Sequence, residues 1–103
     1  MGERRPPIAC DLSALDAHER EHRSALAKQV HAAVVGRREL PNGYALKLDR
    51  QKVNQPDIEA WMVLEGKCCP FLNFAILPID DALWLHLTGG TGVKEFLQDE
   101  MGA

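Results

Sequence analysis

Arg37-Arg38-Glu39-Leu40-Pro41-Asn42-Gly43-Tyr44-Ala45-Leu46-Lys47-Leu48 is the stretch whose reading decides the fold. Two short runs with a period near two flank an Asn-Gly pair, a dipeptide suited to the tight turn that folds one strand back on the next, so a β-hairpin is predicted. Further along, Phe71 to Leu77 and Leu83 to Thr88 are strand-like runs joined by Pro78-Ile79-Asp80-Asp81-Ala82. This turn-rich connection predicts a second hairpin.

Outward from the hairpins the pattern turns helical. Ser13 and Asp16 have the spacing of a capping box, and nothing from there to about Val34 breaks a helix. At 100° per residue, Leu12, Leu15, Leu26, Val30 and Ala33 share one stripe, which must face the core. The same stripe holds Glu19, His22 and Arg23. A second helix is expected from Pro56, with Asp57 and Glu59 in its first turn, to about Cys68 or Cys69, ahead of Pro70. Gly89-Gly90-Thr91-Gly92 ends the last strand with Thr91 as a helix cap, and Val93 to about Met101 closes the chain as a short helix.

Helix, hairpin, helix, hairpin, helix is the order of an α+β protein. The expected architecture is a four-stranded, mainly antiparallel sheet built from two hairpins, with helices packed on one face. Residues 1–103 are expected to form a single domain, with 1–7 flexible and Ile8-Ala9-Cys10 adding a short edge strand.

Composition fits that architecture. With 46% hydrophobic and 26% charged residues, the chain can bury a core and is far from the balance of a disordered segment. The net charge of −3 and the scattered basic residues argue against a nucleic-acid partner. Apolar runs fall well short of the roughly 20 residues of a membrane helix, and no signal-peptide apolar core follows Met1, so no membrane partner and a cytoplasmic location are expected. Three cysteines, two of them adjacent, make a poor disulfide framework, and reduced thiols are expected.

Those thiols are the most unusual chemistry in the chain. Cys68 continues the apolar line of Trp61 and Leu64, as a small core residue would. Neighbouring cysteines seldom bond to each other because the ring is strained, so Cys68 and Cys69 suit two thiolates presented from one place. Cys10 would complete a three-sulfur site of the kind that a thiophilic metal ion prefers, with Glu65 and His22 as further ligands, or a redox-sensitive cluster; the alternative is a dimeric protein- or small-ligand-binding module whose cysteines are only structural. The negative end of a helix opposes thiolate formation there, with Lys67 alone to offset it, so a bound cation is what would favour the ionised form.

His18-Glu19-Arg20-Glu21-His22 matches the zinc-peptidase pattern H-E-x-x-H. Its central positions are both charged, no third-ligand motif follows, and the chain is too short to frame a substrate cleft. A solvated helix turn is the expected reading, and nothing else in the sequence marks an enzyme. Glu19, on the core-facing stripe, needs a partner, and Arg23 is the nearest candidate.

The alternation in β-strand residues 83–88 carries the last expectation. Leu83, Leu85 and Leu87 face the helices, which leaves Trp84, His86 and Thr88 on the open side of the sheet. That side is more apolar than a monomer usually leaves uncovered, so a homodimer or a small ligand is expected there, with Trp84, His86 and Glu19 as ligand or interface residues.

The stretch Glu65-x-x-Cys68-Cys69-Pro70-Phe71-Leu72-x-Phe74, with Leu40-Pro41-Asn42-Gly43-Tyr44 before it, Leu87-Thr88-Gly89 after it and an early Cys10-x-Leu12, resembles a group of small uncharacterised bacterial proteins. The likeness covers most of the chain. It implies that Cys10, Glu65, Cys68 and Cys69 belong to one site and implies no particular reaction.

Overall fold

The computed structural model describes residues 10–101. The expected flexible segment 1–7 and the first two residues of the expected edge strand, Ile8 and Ala9, lie outside them.

Within this range a 3-10 turn, Leu12–Ala14, precedes helix α1, Ala17–Ala33. The helix starts four residues later than Ser13, and the capping box belongs to Asp16 and Glu19. Asp16 Oδ1 accepts from the Glu19 N–H at 2.8 Å, while Glu19 Oε1 accepts from the Asp16 N–H at 3.1 Å. Ser13 instead donates its N–H and hydroxyl to Asp11 Oδ1. The delay has a packing cause: Leu15 is extended and fully buried, and a helix running straight from Ser13 would not give it that direction. Arg20 then donates to the Leu15 carbonyl at 2.7 Å.

Helix α1 passes without a loop into strand β1, Val34–Leu40, which pairs antiparallel with β2, Gly43–Asp49. A shift in register at Val34 to Gly36 absorbs the change from helix to strand. Only Pro41 and Asn42 form the turn, and Gly43 is already paired with Leu40. Gly43 is fixed by crowding: a side-chain carbon there would overlap the backbone of Leu87 and Thr88. Helix α2, Gln55–Cys68, follows, capped by the Asn54 side chain with Pro56 in its first turn.

The second hairpin pairs β3, Asn73–Ile79, with β4, Ala82–Thr88. Its turn is tighter than expected, Asp80-Asp81 alone, with Asp80 at a φ of 55°. Pro78 lies inside β3 because the sheet order β1-β2-β4-β3 makes this an edge strand, where a missing N–H costs no ladder bond on the outer side. All neighbours are antiparallel. Helix α3, Val93–Met101, ends the described chain.

The α+β reading therefore stands as a four-stranded antiparallel sheet with helices against it. Tyr44, Leu46, Leu48, Leu83, Leu85 and Leu87 line the buried face. Against them pack Leu26 and Val30 of α1, Ile58, Trp61 and Leu64 of α2, and Val93 and Leu97 of α3. Among the described residues no helix is long and apolar enough to cross a membrane.

Gly43→Ala is expected to cost about 1–3 kcal/mol, the usual range for an overpacked site, because strand β4 must move to admit the methyl group. Urea denaturation measures it, and a midpoint equal to the wild type's would show that β2 and β4 are not so close.

Candidate functional site

Helix α2 ends where its chemistry is concentrated. Glu65 and Cys68, three apart, fall on one side of its last turn, and both are buried. Cys69 leaves helical geometry at φ −127° and ψ 66°, ahead of Pro70, while its N–H still bonds the Glu65 carbonyl at 2.6 Å. This bend turns Cys69 inward as well, so two adjacent cysteines are both fully buried.

The chain that precedes α1 closes over this turn. Asp11 N–H donates to the Cys68 carbonyl at 2.7 Å, and Cys10 is joined to Cys69 by a disulfide, with Cα atoms 4.6 Å apart. The expectation of three reduced thiols is thereby corrected: Cys68 alone is free. Ring strain disfavours a Cys68–Cys69 bond only, whereas the partner of Cys69 lies 59 residues away and is delivered by the fold. By loop-closure entropy a bond of that span stabilises the fold by about 4 kcal/mol.

The Glu65 carboxylate is the hub of the cluster. Its Oε1 lies 3.2 Å from Cys69 Sγ, 3.9 Å from Cys68 Sγ and 4.0 Å from Cys10 Sγ. Cys68 Sγ is 3.7 Å from Cys69 Sγ. Of these sulfurs only Cys68 has a proton to donate while the disulfide is closed. On the other side Arg23 Nη2 reaches Glu65 Oε2 at 2.8 Å and Oε1 at 3.3 Å. Burial pushes the Glu65 carboxyl above its ordinary range, and the Arg23 charge opposes this without cancelling it. Burial, with the Glu65 charge, also raises the Cys68 thiol, which keeps its proton at neutral pH.

Cys10, Glu65, Cys68 and Cys69 thus present ligand atoms that all lie within 4.8 Å of one another. His22 is not among them. It is exposed on α1 beside His18, their rings 6.5 Å apart. Glu19 pairs with Lys67 of α2 and not with Arg23, which has turned to Glu65. Trp84 and His86 stand half-buried on the opposite face of the sheet, with the Arg38 guanidinium 5.0 Å from the centre of the Trp84 ring. Arg23, on the expected stripe but expected to pair with Glu19, is the site residue whose role the sequence did not reveal. A cation on a core-facing stripe needs an anion from another element, and that was its signal.

Fold and site together define an α+β protein with a disulfide, a thiol and a carboxylate gathered at one helix end. No family model matches the chain, and neither a curated protein nor a solved structure gives a significant match.

Removing Arg23 should expose the energetics of the hub. Folding raises the Glu65 pKa from 4.5, so the carboxyl's favourable contribution is complete below that value and is lost as pH rises through the folded one. Without Arg23 the loss deepens. Arg23→Met is expected to cost roughly 2–3 kcal/mol at pH 7.5, at the low end for a buried pair because Arg23 is partly solvated, and under about 1 kcal/mol at pH 4. Urea denaturation at the two pH values decides; equal costs would show that the pair carries no buried charge.

Proposed function

We propose that this chain is a redox-gated binding domain for a thiophilic metal ion. The observation that carries the reading is the convergence of three sulfurs and one carboxylate oxygen within 4.8 Å. With the Cys10–Cys69 bond closed, two of the three sulfurs are poor donors and the site is shut. Two-electron reduction frees both thiols, and the sulfur set then suits a soft ion such as Zn(II), Cu(I) or Hg(II), with Glu65 as an oxygen ligand. The ion replaces thiol protons, and its charge offsets the burial and the Glu65 charge that otherwise hold Cys68 protonated. The resemblance to small bacterial proteins that share the Glu65 to Phe74 pattern supports treating the four residues as one site. A reducing compartment, such as the expected cytoplasm, would keep the domain in its binding form.

Protein reduced with a phosphine and freed of reductant is expected to bind one equivalent of Zn(II) or Hg(II), whereas the oxidised protein binds none. The Cys68→Ser, Cys69→Ser double variant should bind none in either state. Equal stoichiometry in the reduced wild type and the double variant would sink the proposal.

A second reading concerns the open sheet face, and it rests on a separate observation. Val35, Leu77 and Ile79 are exposed around Trp84 in a trench of about 670 Å³. Arg38 and Lys47 lie on the β1–β2 half of the trench, while Asp49, Asp80 and Asp81 gather at its end by the β3–β4 turn. A two-fold axis would lay the basic half of one copy on the acidic turn of another, so the occupant that fits is a second copy of this chain. Covering Trp84 is worth on the order of 2–3 kcal/mol. Sedimentation equilibrium is expected to give a dimer for the wild type and a monomer for Trp84→Lys; a monomeric wild type or a dimeric variant refutes the pairing.

A further inference from the structure

Beside the disulfide a cavity of about 270 Å³ opens between α1, α3 and the sheet. Cys10, Glu65 and Arg23 contribute to its wall, and Ala27, Leu72 and Phe96 make part of its apolar lining. Cys69 is fully buried, while Cys10 is partly accessible and borders the cavity, so Cys10 Sγ is the sulfur that a reagent in this space meets first. Arg23 and a further lining residue, Trp61, carry buried donors without acceptors, Arg23 Nε and Trp61 Nε1. Trp61 is only 7% exposed, and leaving a buried donor unpaired is unfavourable, so an occupant whose acceptor oxygens reach these nitrogens gains hydrogen bonds that the protein alone does not supply.

We propose that the Cys10–Cys69 bond is opened and closed by thiol–disulfide exchange at Cys10 with a low-molecular-weight thiol that bears carbonyl or carboxylate oxygens, the chemistry of a short cysteine-containing peptide. The inference rests on the redox half of the reading above and names the reagent that operates it.

The exchange balances without another reactant. The thiolate RS⁻ attacks Cys10 Sγ, the Cys10–Cys69 bond breaks, and its electron pair goes to Cys69 Sγ. The proton surrendered by the incoming thiol ends on Cys69 Sγ, with Glu65 Oε1, 3.2 Å away, as its carrier. A second RSH cleaves the Cys10–SR bond, leaving the Cys10 thiol and releasing RSSR, so one protein disulfide is reduced while two thiols are oxidised. The reverse sequence with RSSR closes the bond. Cys68 is a built-in reserve: its Sγ lies within 4.8 Å of Cys10 Sγ and can take the place of Cys69.

The test uses the full oxidised chain with reduced glutathione and with 2-mercaptoethanol, each rate normalised to the same thiol's rate with a small free disulfide. Acid quenching and mass mapping should place the mixed disulfide on Cys10, and the normalised rate with glutathione should exceed that with 2-mercaptoethanol by about tenfold, the worth of one to two hydrogen bonds. Trp61→Phe should reduce that preference, and Ala27→Phe, which fills the cavity from α1, should slow glutathione. Thermal unfolding reports whether each variant is folded, and the wild-type comparison stands without them. A Cys69→Ser variant should still form a disulfide, now between Cys10 and Cys68. An adduct on Cys68 or Cys69, or equal normalised rates, overturns the inference. Metal uptake by the reduced protein with no glutathione preference defeats this inference alone, while a Cys10 adduct with no metal uptake defeats the metal reading alone.

Discussion

A carboxylate taken out of water must be compensated where it stands, and the arrangement of this molecule turns on how Glu65 is compensated. Among the described residues it is the buried charged one, at 5% exposure. Arg23 from α1 supplies the opposite charge at 2.8 Å and so ties α1 to the last turn of α2 at this point. The three sulfurs crowd the remaining oxygen, and the Cys10–Cys69 bond holds the chain ahead of α1 over the same turn. One desolvated group thus gathers α1, the end of α2 and the chain ahead of α1 at a single point.

The sheet supplies the rigid base for this arrangement. Its leucine-rich inner face takes α1, α2 and α3, and the close approach of β2 and β4 at Gly43 leaves little freedom in the register. The two faces are chemically separate: the thiol cluster belongs to the helical side, while Trp84, His86 and Arg38 lie on the open side. No side chain named at the thiol site also lines the trench.

Much of the fold was legible in local pattern. The two hairpins, the three main helices and the inward leucines of β4 follow from periodicity and turn chemistry, which act over a few residues. Where boundaries moved, a longer-range effect prevailed. Burial of Leu15 delayed α1 to Asp16, and Pro78, a turn residue by local rules, was admitted to β3 because that strand is an edge. Glu19 illustrates the same limit, since its partner proved to be Lys67 on another helix and not its neighbour Arg23.

For the site, the sequence by itself determined that Cys68 and Cys69 stand together at the end of α2, with Glu65 one turn back on the side of Cys69. Helical spacing and Pro70 require it. Only the tertiary structure decided that Cys10 meets Cys69, that Arg23 meets Glu65, and that His22 stays outside the cluster. The reason is that the first facts depend on geometry within one element, whereas the others depend on how α1 crosses α2, and a crossing is set by the packing of side chains drawn from the whole chain.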